Sequence, residues 1–257
     1  MAKSRFEYVK NFEADDSLLP HCWIVIRVDG KGFTRFSQEH GFGKPNDARA
    51  LDLMDKCAKE VMQAFGDIRL AYGESDEYSF VFSKTCSLYG RRASKLVSLV
   101  TSCFTGSYVR FWGEFFPDTQ LQWTPMFDGR AICYPTDAIL KDYLAWRQAD
   151  THINNQYNTC FWALVKSGKS KTEAQEALQG TQTEHKNELL FSSFGINYAS
   201  LPARFRKGSV VLRTKHKKLV KHLDDGTPVE REFSAPTVCH DDIIGTAFWK
   251  QHPELLA

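Results

Sequence analysis

The chain has no hydrophobic run that approaches the length of a membrane span, no Cys-x-x-Cys pair, no repeat and no Pro/Gly/Ser-rich linker, and its net charge is only +2. The first absence excludes a helical membrane anchor within the sequence. The second, with an odd total of seven cysteines that mostly sit inside apolar runs, predicts thiols packed as small hydrophobes, a reducing compartment and no zinc site. The small net charge excludes a polycation, so any nucleic-acid surface must be a local patch. The opening residues have no secretory hydrophobic core and carry Glu7, Glu13, Asp15 and Asp16, which predicts neither export nor an acid-poor transit peptide. A soluble cytoplasmic protein is expected, with nuclear or mitochondrial pools left open. With 42% apolar and 25% charged residues over 257 positions, the chain is ordinary globular protein, one large domain or two small ones.

What is present is two acidic clusters at the ends of strand-like segments. The run Cys22-Trp23-Ile24-Val25-Ile26-Arg27-Val28 reads as a strand buried on both faces and stops at Asp29-Gly30-Lys31-Gly32. Residues 68–72 and 77–82 read as the two strands of a hairpin, with Gly73-Glu74-Ser75-Asp76 between them. Carboxylates that converge from separate strands suit a two-metal phosphoryl-transfer site, where divalent ions about 3.5–4 Å apart share hard oxygen ligands. Asp29, the Gly30 carbonyl and Asp76 are the candidate ligands, and Gly30 and Gly32 would let backbone N–H groups approach phosphate. Phe33 and Thr34 would then lie near a nucleotide, and Ser75 could bond a phosphate or merely close the turn. Asp29-Gly30 alone would be an ordinary turn; its pairing with the second cluster is what makes it a candidate. For Glu77 two readings stand open: orienting a metal-bound water or a neighbouring Lys or Arg, or a structural ion pair.

Periodic apolar residues from Leu51 to Phe65 predict a helix over 47–65, and a second helix is expected over about 88–111. With a strand at 130–134 the order becomes β-α-β-β-α-β, an α+β, ferredoxin-like palm with two helices on one face of an antiparallel sheet. Residues 1–135 are expected as this palm. Residues 136–257 are expected as a helical and hairpin extension packed on it, with helices at 136–149, 150–166, 172–179 and 184–191 and strands near 208–214 and 229–233. Arg92 and Lys95, at the start of the second helix, are candidates to grip a triphosphate. Lys44 and Asp47, flanking the first, are candidates for phosphate and guanine contact or are simply helix caps.

The stretch 147–158 is unusually polar for a helix, which points either to an RNA-facing surface or to a buried hydrogen-bond network. Eight Lys/Arg residues lie between Arg204 and His222. Residues 204–213, including Arg206 and Lys207, read as a basic hairpin for a phosphate backbone, whereas 215–222 read as a solvated loop balanced by Asp224, Asp225, Glu230 and Glu232.

The segments Arg-Val-Asp-Gly-Lys-Gly-Phe (27–33), Lys-Pro-Asn-Asp (44–47), Tyr-Gly-Glu-Ser-Asp-Glu-Tyr-Ser-Phe (72–80), Arg-Arg-Ala-Ser-Lys (91–95), Phe-Asp-Gly-Arg (127–130), Trp-Arg-Gln-Ala-Asp-Thr-His-Ile-Asn-Asn (146–155) and Lys-Asn-Glu (186–188) together resemble the eukaryotic tRNA-His guanylyltransferase family. The resemblance runs from about residue 5 to Glu254 and is weakest over 215–235. It implies guanosine addition to the tRNA-His 5′ end: adenylylation of the 5′-phosphate by ATP, attack by the GTP 3′-hydroxyl, then pyrophosphate removal. It further implies two Mg2+ at Asp29, the Gly30 carbonyl and Asp76, with Glu77 in the catalytic set, and a nucleotide site formed by Asp29, Gly30, Lys31, Gly32, Phe33 and Thr34 with Ser75 and Asp76. It places His152, Asn155, Lys186 and Asn197 in tRNA binding and predicts a homotetramer. A nucleotidyl cyclase and a noncatalytic RNA-binding protein on a ferredoxin-like sheet are the rival readings.

Overall fold

The computed structural model describes residues 4–222 and 228–257; Asp224 and Asp225 lie outside them. Strand β1 (Trp23–Gly30) is followed by helices α1 (Phe33–Glu39) and α2 (Ala48–Ala64), the hairpin β2 (Ile68–Glu74) and β3 (Glu77–Phe82), helix α3 (Ala93–Phe115) and strand β4 (Phe127–Tyr134). These four strands lie in the order β4-β1-β3-β2 with every neighbouring pair antiparallel, the expected palm. Helix α2 starts where Asp47 accepts the Arg49 N–H, and Leu53, Cys57, Val61 and Met62 line its buried side. Helix α1 is an addition that sequence periodicity did not suggest. It begins after Gly32, whose φ of 71° suits a residue without a side chain.

The second half supplies α4 (Asp137–Lys166), α5 (Lys171–Leu178), α6 (Thr183–Glu188), α7 (Ala203–Lys207), β5 (Ser209–His222), β6 (Pro228–Cys239) and α8 (Thr246–Gln251). Where two helices were expected over 136–166 there is one of 30 residues. It holds neither Gly nor Pro, and its polar middle is satisfied internally: Thr151 and Thr159 donate back to the carbonyls of Arg147 and Asn155. Residues 215–222 are strand rather than loop. Strand β5 pairs with β2 from Leu70↔Leu212 to Gly73↔Ser209, so one six-stranded sheet, β4-β1-β3-β2-β5-β6, runs across the 135/136 boundary expected between palm and extension.

Both faces of the sheet at its palm strands are covered, which accounts for the unbroken apolar character of β1. Ile24, Ile26 and Val28 pack toward Leu53, Val61, Leu96 and Phe104 of α2 and α3. Trp23 and Val25 pack with Leu140 and Leu144 of α4 and with Phe248 and Trp249 of α8. The far half of α4 forms a smaller core with α5 and α6 through Cys160, Leu164, Leu178 and Leu190. Among the described residues no helix is long and apolar enough to cross a membrane.

Candidate active site

The end of β1 and the β2–β3 turn meet at one edge of the palm. The Gly30 N–H donates to the Asp76 carbonyl at 3.0 Å, and Asp29 stands opposite Glu77 in the strand register. A Cβ on residue 30 would fall 2.5 Å from the Phe33 ring and 2.9 Å from the Asp76 Cβ, so glycine is what lets the two acidic segments approach. Ser75 turns the hairpin with a φ of 48°, and its hydroxyl donates to Asp76 Oδ1 at 3.0 Å.

Five carboxylates gather here around two guanidiniums. Arg147 of α4 donates from Nε to Glu77 Oε1 at 2.8 Å, and from Nη2 to Glu74 Oε1 at 3.0 Å and Asp150 Oδ2 at 3.1 Å. Arg27 Nε lies 3.5 Å from Glu77 Oε2, and its Nη2 is 3.8 Å from Asp29 Oδ2. Burial pushes the Glu74 carboxyl up to about 7 against the pull of Arg147. Burial likewise raises Glu77, with Arg147 and Arg27 opposing. Burial raises Asp76, and the nearby Asp29 charge adds to the shift. All five carboxylates line the cleft, and of them Glu74, Glu77 and Asp150 are held by Arg147.

Among the described residues no three His, Cys, Asp or Glu side chains are grouped so as to hold a metal by themselves. Two hard carboxylates, one raised by burial and by the other's charge, still suit Mg2+. That ion is bound through one or two carboxylates and completes its shell with water and substrate phosphate. The donor set therefore fits.

Above the carboxylates opens a cleft of ≈740 Å³, lined by Phe33 and Thr34, the 42–47 loop, Ser75, one side of α4 and Arg204, Phe205, Gly208 and Ser209. Lys44 lines it, with Nζ donating to Ser37 Oγ at 2.9 Å and burial lowering its pKa. Asp47 lines it too, but its carboxylate is already engaged by Arg49 and the Gly43 N–H, the helix-cap role. Lys31 and Gly32 are exposed residues outside the lining.

Arg92 and Lys95 are not brought to the cleft of this chain. Strand β3 leaves the Asp29 edge at Glu77 and ends at Phe82, opposite Ile24, so α3 begins at the other end of the sheet. There Arg92 is the N-cap residue of α3, and Lys95 lies over the Tyr89 ring.

His152, Asn155, Asn197 and Arg206 do cluster, around Tyr198. His152 meets its ring edge-on at 5.2 Å, and burial, then Arg206, lowers the imidazole's pKa. Asn155 is 6% exposed, donates to the Tyr198 hydroxyl at 3.0 Å and accepts from Asn46 at 2.9 Å. Asn197 caps the turn that carries Tyr198, and Arg206 Nε donates to the Leu201 carbonyl. Lys186, 9% exposed, donates to the Thr181 carbonyl at 2.7 Å, and the Lys207 carbonyl accepts from Tyr72 and Gln148. The polar face of α4 is in this part a buried hydrogen-bond network.

Several cleft residues had no role in the sequence reading. Arg147 and Glu74 are 73 positions apart, and the register that sets Glu74 opposite Glu77, within reach of one guanidinium, is visible only in the folded hairpin. Buried Asp55 accepts from Tyr78 Oη at 2.7 Å and Ser209 Oγ at 3.1 Å, with Arg204 Nη2 at 3.7 Å. Phe161 and Trp162 close the far wall.

Two family models match the chain: one described as tRNAHis guanylyltransferase over residues 6–135, the other as the Thg1 C terminal domain over 138–245. The chain is 52% identical over 266 residues to a probable tRNA(His) guanylyltransferase of Mus musculus, spanning 100% of this chain and 89% of that protein. It is 51% identical to the probable enzyme of Dictyostelium discoideum, spanning 100% and 99%. The crystal structure of tRNA(His) guanylyltransferase from Saccharomyces cerevisiae superposes with a TM-score of 0.78 at 48% identity, covering 81% of this chain and 93% of that one. A bacterial tRNA(His) guanylyltransferase-like protein in complex with ATP shares the fold, with a TM-score of 0.75 at 21% identity and coverage of 98% and 97%. By both family models and by relatives half identical over the whole chain, this protein belongs to the tRNA-His guanylyltransferase family.

Proposed function

We propose that this chain adds guanosine to the 5′ end of tRNA-His, and the observation that carries the proposal is the convergence of Asp29 and Asp76 in the lining of the cleft. An oxygen of the RNA 5′-monophosphate attacks the α-phosphorus of ATP and releases pyrophosphate. The 3′-hydroxyl of GTP then attacks the activated RNA phosphorus and releases AMP, and water finally removes pyrophosphate from the added nucleotide. The names of the relatives support the substrate, and the bacterial neighbours solved with ATP and with GTP support nucleotide binding in this fold.

Asp29, Asp76 and the Gly30 carbonyl would hold two Mg2+. When bound, these ions would neutralise charge developing on the transferred phosphoryl group and lower the pKa of the attacking hydroxyl. Lys44 supplies positive charge to phosphate oxygens, and Ser75 and Thr34 offer hydroxyls at the same wall. Arg147 fixes Glu77 and Glu74 so that the β2–β3 turn presents Asp76 in one orientation. His152, Asn197 and Arg206 form the polar end of the extension that would meet RNA, and a homotetramer is the assembly expected of the family. An RNA-binding module that stacks bases on its sheet finds no support, because Trp23, Tyr72, Tyr78, Phe80, Phe82 and Phe127 of the palm strands are all buried.

The test is incubation with α-labelled ATP and 5′-monophosphorylated tRNA-His transcript without GTP. Label transferred to RNA is the expected result; a labelled cyclic nucleotide formed without RNA would replace this reading with a cyclase.

A further inference from the structure

Strand β5 outruns the sheet. It is paired with β2 only over Ser209–Leu212, and Arg213 closes that anchored part by donating to the carbonyls of Met62 and Phe65 on and after α2. Beyond it β5 pairs with β6 alone, as a two-stranded ribbon.

The register sorts the ribbon's charges. Directly opposed residues share a face in an antiparallel pair. One face carries Lys215, Lys217 and Leu219 with Ser234, Glu232 and Glu230, a balanced set in which Lys217 lies 3.6 Å from Glu230. The other carries Thr214, His216 and Lys218 with Ala235, Phe233 and Arg231, and among the described residues it has no carboxylate. On it the His216 and Phe233 rings stack at 5.6 Å and 30°, with Phe233 still 46% exposed. Thr214 and Thr237 hydroxyls hold the imidazole Nε2 at 2.8 and 3.0 Å. Lys218 stands directly opposite Arg231, an arrangement that costs stability unless an anion lies between or above the two. A fixed aromatic platform beside paired cations is the chemistry that binds an unpaired base and its phosphates.

We infer that the His216–Phe233 face of the β5–β6 ribbon is an RNA-binding surface, stacking an unpaired base on Phe233 and neutralising its phosphates with Lys218 and Arg231. The inference rests on the guanylyltransferase reading for its partner, the RNA substrate. Strand β5 runs from Ser209, which lines the cleft, through Lys218, a span of about 30 Å. The ribbon therefore meets the RNA far from the end that reacts. Charge summed along the sequence hides this surface, because the acids that balance the lysines stand on the opposite face.

The experiment compares the natural chain with Lys218→Glu/Arg231→Glu, Phe233→Ala and, as an equal charge change on the other face, Lys215→Glu/Lys217→Glu. Affinity for tRNA-His transcript is measured by filter binding across a salt series, with kcat and KM for RNA alongside. The first variant should raise Kd at least about tenfold and flatten the salt dependence by roughly two lost phosphate contacts. Phe233→Ala should raise it about fivefold or more. Both should raise KM for RNA with kcat at saturating RNA unchanged, and the opposite-face variant should stay within about twofold of the natural protein. Equal losses from both faces, or none, would overturn the proposal. So would a changed mass in light scattering with RNA affinity intact, which would make the face an interface between copies. A natural protein that binds the transcript without transferring guanosine would refute the enzymatic reading and leave the ribbon decided by affinity alone; one that does not bind RNA refutes both.

Discussion

Burial pushes the Glu74 carboxyl from its ordinary 4.5 up to about 7, and the effect on stability has a definite sign. Such a group contributes fully below its unfolded pKa and loses that contribution as pH rises through its folded value. Glu74 should therefore weaken the fold between about pH 4.5 and 7, by up to about 3 kcal/mol. Urea unfolding in chelator should show Glu74→Gln gaining on the natural protein from pH 5 to pH 8; a constant difference would mean that Glu74 is ionised throughout. Tyr78 offers a second test at this scale. Its hydroxyl is a donor to buried Asp55, so Tyr78→Phe should cost about 1–3 kcal/mol in the same assay, and a loss below about 0.5 kcal/mol would mean that Ser209 and Arg204 suffice. Residues such as Asp29, Asp76 and Asp47 were legible in sequence because local signals, a strand end, a turn and a helix start, mark them. Glu74 was not, since nothing along the chain records the burial that shifts it.

Elements with one apolar stripe or one unbroken apolar run, α2 and β1, followed directly from periodicity. Helix α4 did not, because its Asn-rich middle reads as a break until Tyr198, Asn46 and the carbonyls that satisfy it are in place. That helix also joins the two halves of the candidate site, with Arg147 holding the β2–β3 hairpin and His152 and Asn155 holding the Tyr198 cluster. Removing the guanidinium leaves Glu74 and Glu77 buried beside each other. Arg147→Met should thus cost about 3–5 kcal/mol in urea unfolding and lower kcat for guanosine transfer. Arg147→Lys should recover only part of both, since one ammonium cannot bond two carboxylates as the planar fork does. Full recovery with lysine would reduce Arg147 to a point charge.

For the whole molecule, the palm was legible because its four strands and two large helices are joined by short, local connections. The six-stranded sheet was not, because the pairs that join β5 to β2, Leu70 with Leu212 and Gly73 with Ser209, lie far apart in the chain and no local pattern specifies them. Residues 215–222 of the ribbon were read as a loop for the same reason, although a strand was expected near 229–233: the register that separates the two faces is a property of pairing. The proposed guanosine transfer needs Asp29 and Asp76 acting together in the lining of the cleft. Its most direct test is incorporation of labelled GTP into 5′-monophosphorylated tRNA-His transcript with ATP and Mg2+, for the natural chain, Asp29→Ala and Asp76→Ala, each confirmed folded by urea unfolding. Incorporation by the natural protein, with both variants reduced at least about a thousandfold, is the predicted result. Incorporation that survives either substitution, or none by the natural chain, would contradict it.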